Sequence, residues 1–142
     1  SEVCMPSHPK EDAIKAHLTA QGGNSPPFVS IERFFDGNQD EGSIGCNLLP
    51  HPGLSAFREV LVGLTRRRDV EAVYAQVAEI DPGAGLWPFA DTVFVVGTIT
   101  VSELARLLEP LHPDEVASSD DVRIPPRMRE GHGGRVLYAW WD

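Results

Sequence analysis

FVSIERFF, residues 28–35, is the stretch on which the fold turns. Its β-branched and aromatic residues alternate with polar ones, the pattern of a half-buried strand. Val29, Ile31 and Phe35 share one face, with Arg33 as the odd member. Read this way, it is the first strand of a longer order.

Downstream, LSAFREVLVGLTRR (54–67) carries Leu54, Phe57, Val60, Leu61 and Leu64 at helical spacing. DVEAVYAQVAEID (69–81) alternates, with Val73, Ala75 and Val77 on one face and Val70, Ala72, Tyr74, Ala78 and Ile80 on the other. It reads as a strand, although its Ala, Gln and Glu also suit a helix. PGAG (82–85) is a turn, and a Val- and Phe-rich strand follows at 91–98. TVSE (100–103) is a capping box, in which Thr100 accepts from the Glu103 amide while Glu103 reaches back. It opens a helix with Val101, Leu104, Leu107, Leu108 and Leu111 on one side, ended by Pro110 and Pro113. Residues 117–134 are polar and rich in Pro and Gly, a long surface excursion. RVLYAWW (135–141) is the closing strand.

Upstream, KEDAIKAHLTA (10–20) predicts a short helix on Ala13, Ile14, Ala16, Leu18 and Ala20, and QGGNSPP (21–27) breaks the chain. The reading is thus an N-terminal tail with a short helix over 1–26 and a single α+β domain over 27–142. The order β-α-β-β-α-β predicts a ferredoxin-like sandwich: an antiparallel sheet with two helices on one face. There the first strand is central, which makes 36–51 a crossing loop. The alternative is another α+β sandwich with SIGCNL (43–48) as an extra strand.

A chain of 142 residues fits one domain with its own core. No apolar run approaches the ~20 residues of a membrane span, and SEVCMPSHPKEDAIKAH lacks the apolar region of a secretory signal. Cys4 and Cys46 do not make a disulfide framework, so two free thiols in a reducing, cytoplasmic setting are expected. The net charge of −9 opposes nucleic-acid binding. The basic run Arg66–Arg68 lies at a helix C-terminus, where the helix dipole favours positive charge. Phosphate-loop and dinucleotide motifs are absent.

Both sheet faces read as apolar. Val136, Tyr138 and Trp140 oppose Leu137, Ala139 and Trp141, while Phe94 and Val96 oppose Val93 and Val95. Helices on one face leave the other wanting cover, from the N-terminal helix, a second copy or a partner protein. The candidate binding residues are Tyr74, Trp87, Phe94, Tyr138 and Trp140, with the loop acids Asp36, Asp40 and Glu41. In GLWPFAD (85–91), Trp87 either plugs a core end or docks a partner.

The loop DGNQDEGSIGCN (36–47) places Asp36, Asn38 and Asp40 at the first, third and fifth positions of an EF-hand-like register. Glu41 stands where Gly is needed and Asn47 where a bidentate Glu should close the cage. The loop therefore reads as solvated, with Asx side chains bonding their own backbone. Cys46 and His51 are the pair to test for thiol chemistry, against a small buried Cys. His8, His17, His51, His112 and His132 are scattered, without zinc-ligand spacing. Asp81, Asp91, Asp114 and Glu115 read as turn and capping groups. No metal or other cofactor is expected.

The leading functional expectation is a small acidic cytoplasmic binding or regulatory protein acting through protein–protein contact, with an inhibitor- or immunity-like role as one form. A small enzyme is the competing reading, with a pocket between the sheet and loops 36–51 and 117–134, using Cys46, His51, Asp36 and Asp40. A small-ligand sensor on a homodimeric sheet, walled by Tyr74, Tyr138 and Trp140, is the third.

Overall fold

Ser30 decides the first element. In the computed structural model, which describes residues 9–23, 25–118, 124, 125, 128 and 135–142, the Ser30 hydroxyl accepts from the Arg33 N–H at 3.3 Å. A serine so placed caps a helix and competes with continuation of the strand. FVSIERFF accordingly divides into strand β1 (Phe28–Ser30) and helix α2 (Ile31–Phe35). Ile31, Phe34 and Phe35 fall at helical spacing and are all buried.

The other α-helices and strands are α1 (Pro9–Gln21), α3 (Leu54–Leu64), β2 (Val70–Glu79), β3 (Phe89–Gly97), α4 (Val101–Leu108), β4 (Glu115–Ser118) and β5 (Arg135–Trp140), with short 3-10 turns at Glu41–Ser43 and Glu109–Leu111. The five-stranded sheet runs β1-β2-β3-β5-β4 and is antiparallel at every junction. The α+β class and the antiparallel sheet are as the sequence implies, but the ferredoxin-like strand order is corrected. β1 lies at an edge, paired with β2, instead of at the centre. Three residues of strand give a short ladder suited to an edge, while the long β2 and β3 pair directly through the turn that joins them. The extra-strand alternative reduces to one parallel bridge between Ile44 and Ala90. Strand β4 runs from Glu115, read as a turn or capping group, into the segment read from residue 117 as a surface excursion; Glu115 and Ser118 flank a mere Val-Ala pair.

The helical face holds the main core. Ile14 and Leu18 of α1, Phe57, Leu61 and Leu64 of α3, and Leu104 and Leu108 of α4 pack on Val73, Ala75, Val77, Val93, Val95, Leu137 and Ala139. The N-terminal helix thus shares its core with the sheet. Two indoles close the ends of this core: Trp141 donates to the Leu111 carbonyl and Trp87 to the Phe34 carbonyl, each at 2.8 Å. Gly97 has φ +154°, and a Cβ there would stand 2.2 Å from the Asp69 carbonyl oxygen, which accepts from the Thr98 and Ile99 amides. The Thr100 hydroxyl caps α4 by accepting from Glu103 N–H at 3.1 Å, as the capping box implies. The Glu103 carboxylate instead takes Arg106 at 2.9 and 2.7 Å and Arg67 at 3.4 Å. Arg67 also grips Asp69 at 2.9 and 3.1 Å, so one guanidinium joins the α3–β2 turn to Glu103 in the first turn of α4.

A β-bulge shifts the strand faces where they matter. Adjacent Gln76 and Val77 on β2 pair with Thr92 and Ala90 on β3, so Asp91 is the extra residue. Ala90 lies in the main core, yet Thr92, two residues on, continues the other face with Phe94 and Val96. A similar irregularity at Glu71 lets Val70 and Val73 both face the helices. Among the described residues, no helix is long and apolar enough to cross a membrane.

Candidate functional site

The second sheet face is not a flat exposed patch. At one end Phe94, Val96, Val136 and Tyr138 form a compact cluster with Ile124 and Met128, which come from the segment expected to be a surface excursion. Apolar strand residues draw apolar cover from their own chain. At the other end the face opens into a groove of about 380 Å³, lined by Pro26, Gln76, Asp91, Thr92, Phe94, Tyr138 and Trp140. Neighbouring strands place the side chains: Thr92 pairs with both Gln76 and Trp140, and Phe94 pairs with Tyr138. The bulge sets Asp91 beside them, and its carboxylate accepts from the Thr92 hydroxyl at 3.0 Å. Its main chain is held where Trp141 N–H donates to the Asp91 carbonyl at 2.9 Å.

Of the residues singled out from sequence, the fold brings Phe94, Tyr138 and Trp140 together in this groove. Tyr74 stands on the same face, edge-on to Phe28 with ring centroids 5.2 Å apart. Burial, with the Glu71 charge as a lesser cause, pushes the Tyr74 phenol above its ordinary pKa. Trp87 is elsewhere: 3% exposed in the main core, it plugs a core end. The groove's polar half was missed. Gln76 and Thr92 fall in stretches read as strands without being singled out, and Asp91, read as a turn group at the first position of the strand over 91–98, lies within β3 and is half-buried. The available signal was an Asp in a Val- and Phe-rich strand, where Asp is disfavoured unless pairing is locally broken.

The loop 36–51 lies outside this groove and does structural work. Asn38 is buried; its amide donates to the Ser43 hydroxyl at 2.9 Å and its carbonyl accepts from Asp40 N–H at 2.9 Å. Asp40 accepts from Gly42 N–H at 3.0 Å and Trp87 N–H at 3.1 Å, one on each oxygen. Asp36 pairs outward with Lys10, and Glu41 is exposed, 4.0 Å from His51. Asp36, Asn38 and Asp40 are thus engaged by Lys10, by the loop itself and by Trp87. The described residues contain no group of three His, Cys, Asp or Glu placed to hold a metal.

Cys46 is an exposed free thiol, which corrects the alternative of a small buried Cys. His51 accepts from Gly53 N–H through Nδ1 at 2.9 Å, which leaves Nε2–H to donate to the Ile44 carbonyl at 2.8 Å. Both ring nitrogens therefore serve the backbone, and the ring packs against Phe57 at 5.3 Å. This arrangement leaves no imidazole nitrogen to accept a proton from Cys46. Cys4, His8 and His132 lie outside the described residues.

Fold and site together define an α+β protein with one helix-packed sheet face and a second face that is partly covered and partly grooved. The chain belongs to the family described as "Uncharacterized protein YfbO family", whose model matches residues 9–136. It is 28% identical over 124 residues to "Uncharacterized protein YfbO" of Escherichia coli (strain K12), spanning 82% of this chain and 83% of that relative. No solved structure matches it.

Proposed function

We propose that this chain is a non-catalytic binding protein that engages a partner protein through the groove of its second sheet face. One observation carries the reading: aromatic and hydrogen-bonding side chains converge in an open concavity, the anatomy of a recognition site. By contrast, His51 and Asp40, candidate groups of the enzyme reading, are held in internal hydrogen bonds. The proposed partner is a different protein, because a net charge of −9 on each copy opposes self-association and favours a basic surface. An exposed free Cys46 suits a reducing cytoplasm. An inhibitor-like role fits the acidic charge, which speeds encounter with a basic surface.

The test compares quantitative affinity capture by wild type, Gln76→Trp, which fills the groove, and Trp140→Ala, which removes a wall. A partner recovered by wild type and lost from both folded variants supports the reading. Retention of the same partner by both variants overturns it. Light scattering at low salt is expected to return the monomer mass; a dimer that Gln76→Trp dissociates would replace the foreign partner with a second copy.

A further inference from the structure

We infer that the groove is a seat for a guanidinium group, an arginine side chain presented by the partner protein. This rests on the reading that the groove is the contact site. Three observations select the charge and shape of the occupant. First, Asp91 brings a carboxylate to the groove wall, and the described lining residues include no Lys or Arg to neutralise it. Its one described side-chain contact is the Thr92 hydroxyl, which occupies Oδ1. Second, the wall beside it is aromatic, with Trp140 half-buried and Tyr138 and Phe94 behind. A delocalised planar cation stacks on such a surface while its fork meets a carboxylate, a combination that an ammonium matches less well. Third, Thr92, next to Asp91 in the chain, and Gln76, its register partner on β2, line the same groove and supply further acceptors for the remaining N–H groups.

The bulge is what makes the seat. In an unbroken strand the residue before Thr92 would point to the helical core, where a carboxylate is costly. The inserted residue instead places Asp91 at the groove. The net charge of −9 adds long-range attraction for a basic partner.

The experiment is a fluorescence titration with acetyl-Gly-Arg-Gly-amide and its citrulline counterpart, which keeps the shape and removes the charge. Of the three tryptophans, Trp87 and Trp141 are buried, so the groove signal reports Trp140. The arginine peptide is expected to bind about tenfold tighter than the citrulline peptide, as for the loss of one charge-assisted contact. Asp91→Asn, with circular dichroism showing an unchanged fold, is expected to abolish that preference, and added salt to weaken it. Equal binding of both peptides overturns the guanidinium seat and leaves the groove as an uncharged contact site. Binding of neither peptide also overturns it; the groove reading is then judged separately, by whether Gln76→Trp and Trp140→Ala lose the captured partner.

Discussion

Trp140 ends strand β5 and Trp141 follows it directly, and they do opposite work. Trp141 is 2% exposed, stacks edge-on against Phe57 with centroids 5.5 Å apart, and donates its indole N–H to Leu111. Trp140 is half-buried and forms a wall of the groove. The strand's two-residue period sends them to opposite faces, one saturated with helical contacts and the other partly open. Two identical side chains thus show that burial capacity, not hydrophobicity, separates a residue that holds the fold from one left available for recognition.

The comparison breaks first on stability. Trp141→Ala is expected to lower the unfolding free energy by about 3–5 kcal/mol, since it empties a core site and orphans a carbonyl. Trp140→Ala should cost about 1 kcal/mol. Urea denaturation followed by circular dichroism measures both, and equal losses would show that the second face is as structural as the first. Next in size is Gly97→Ala. The added methyl meets the Asp69 carbonyl and its neighbours, for an expected loss of about 1–3 kcal/mol.

Asp40→Ala removes two backbone-directed acceptors, the turn at Gly42 and the tether to Trp87. It should cost about 1–2 kcal/mol while leaving groove binding unchanged, because the loop lies elsewhere; loss of binding without loss of stability would return loop 36–51 to the site.

The ion-pair network beneath α4 responds to pH in a stated direction. The Arg67 guanidinium holds Asp69 below the usual carboxylate range, and Arg106 chiefly, with Arg67, does the same for Glu103. A folded pKa below the unfolded one means stability that is full above about pH 4–4.5 and is lost as pH falls through the lower folded values. Arg67→Gln should therefore weaken the protein at neutral pH and flatten its acid limb, read by thermal melts across that range. The Tyr74 phenol has the opposite shift, so stability falls as pH rises past its ordinary value, about 10. The smallest effect is Cys46→Ser, expected to stay within about 0.5 kcal/mol for an exposed thiol.

The helices α3 and α4 were legible from the helical spacing of their apolar residues, β3 and β5 from short Val- and aromatic-rich runs, and β2 from alternation, although its Ala, Gln and Glu also suited a helix. The apolar character of both sheet faces was legible too: Phe94 against Val95, and Tyr138 against Leu137, follow from alternation alone. So were three groove residues, Phe94, Tyr138 and Trp140. What periodicity records is which way a side chain points within its own strand. It is silent on which strand lies beside it. The edge position of β1 therefore came only from the fold, as did its division at Ser30, where a single hydroxyl shifts the balance between strand and helix. The polar half of the groove was equally hidden. One inserted residue, Asp91, reverses the parity of β3 between Ala90 and Thr92, and such a slip is decided by pairing with β2, a partner that local pattern does not contain. How much of the second face is covered was decided in the same way, by Ile124 and Met128 returning from a segment whose polarity suggested solvent.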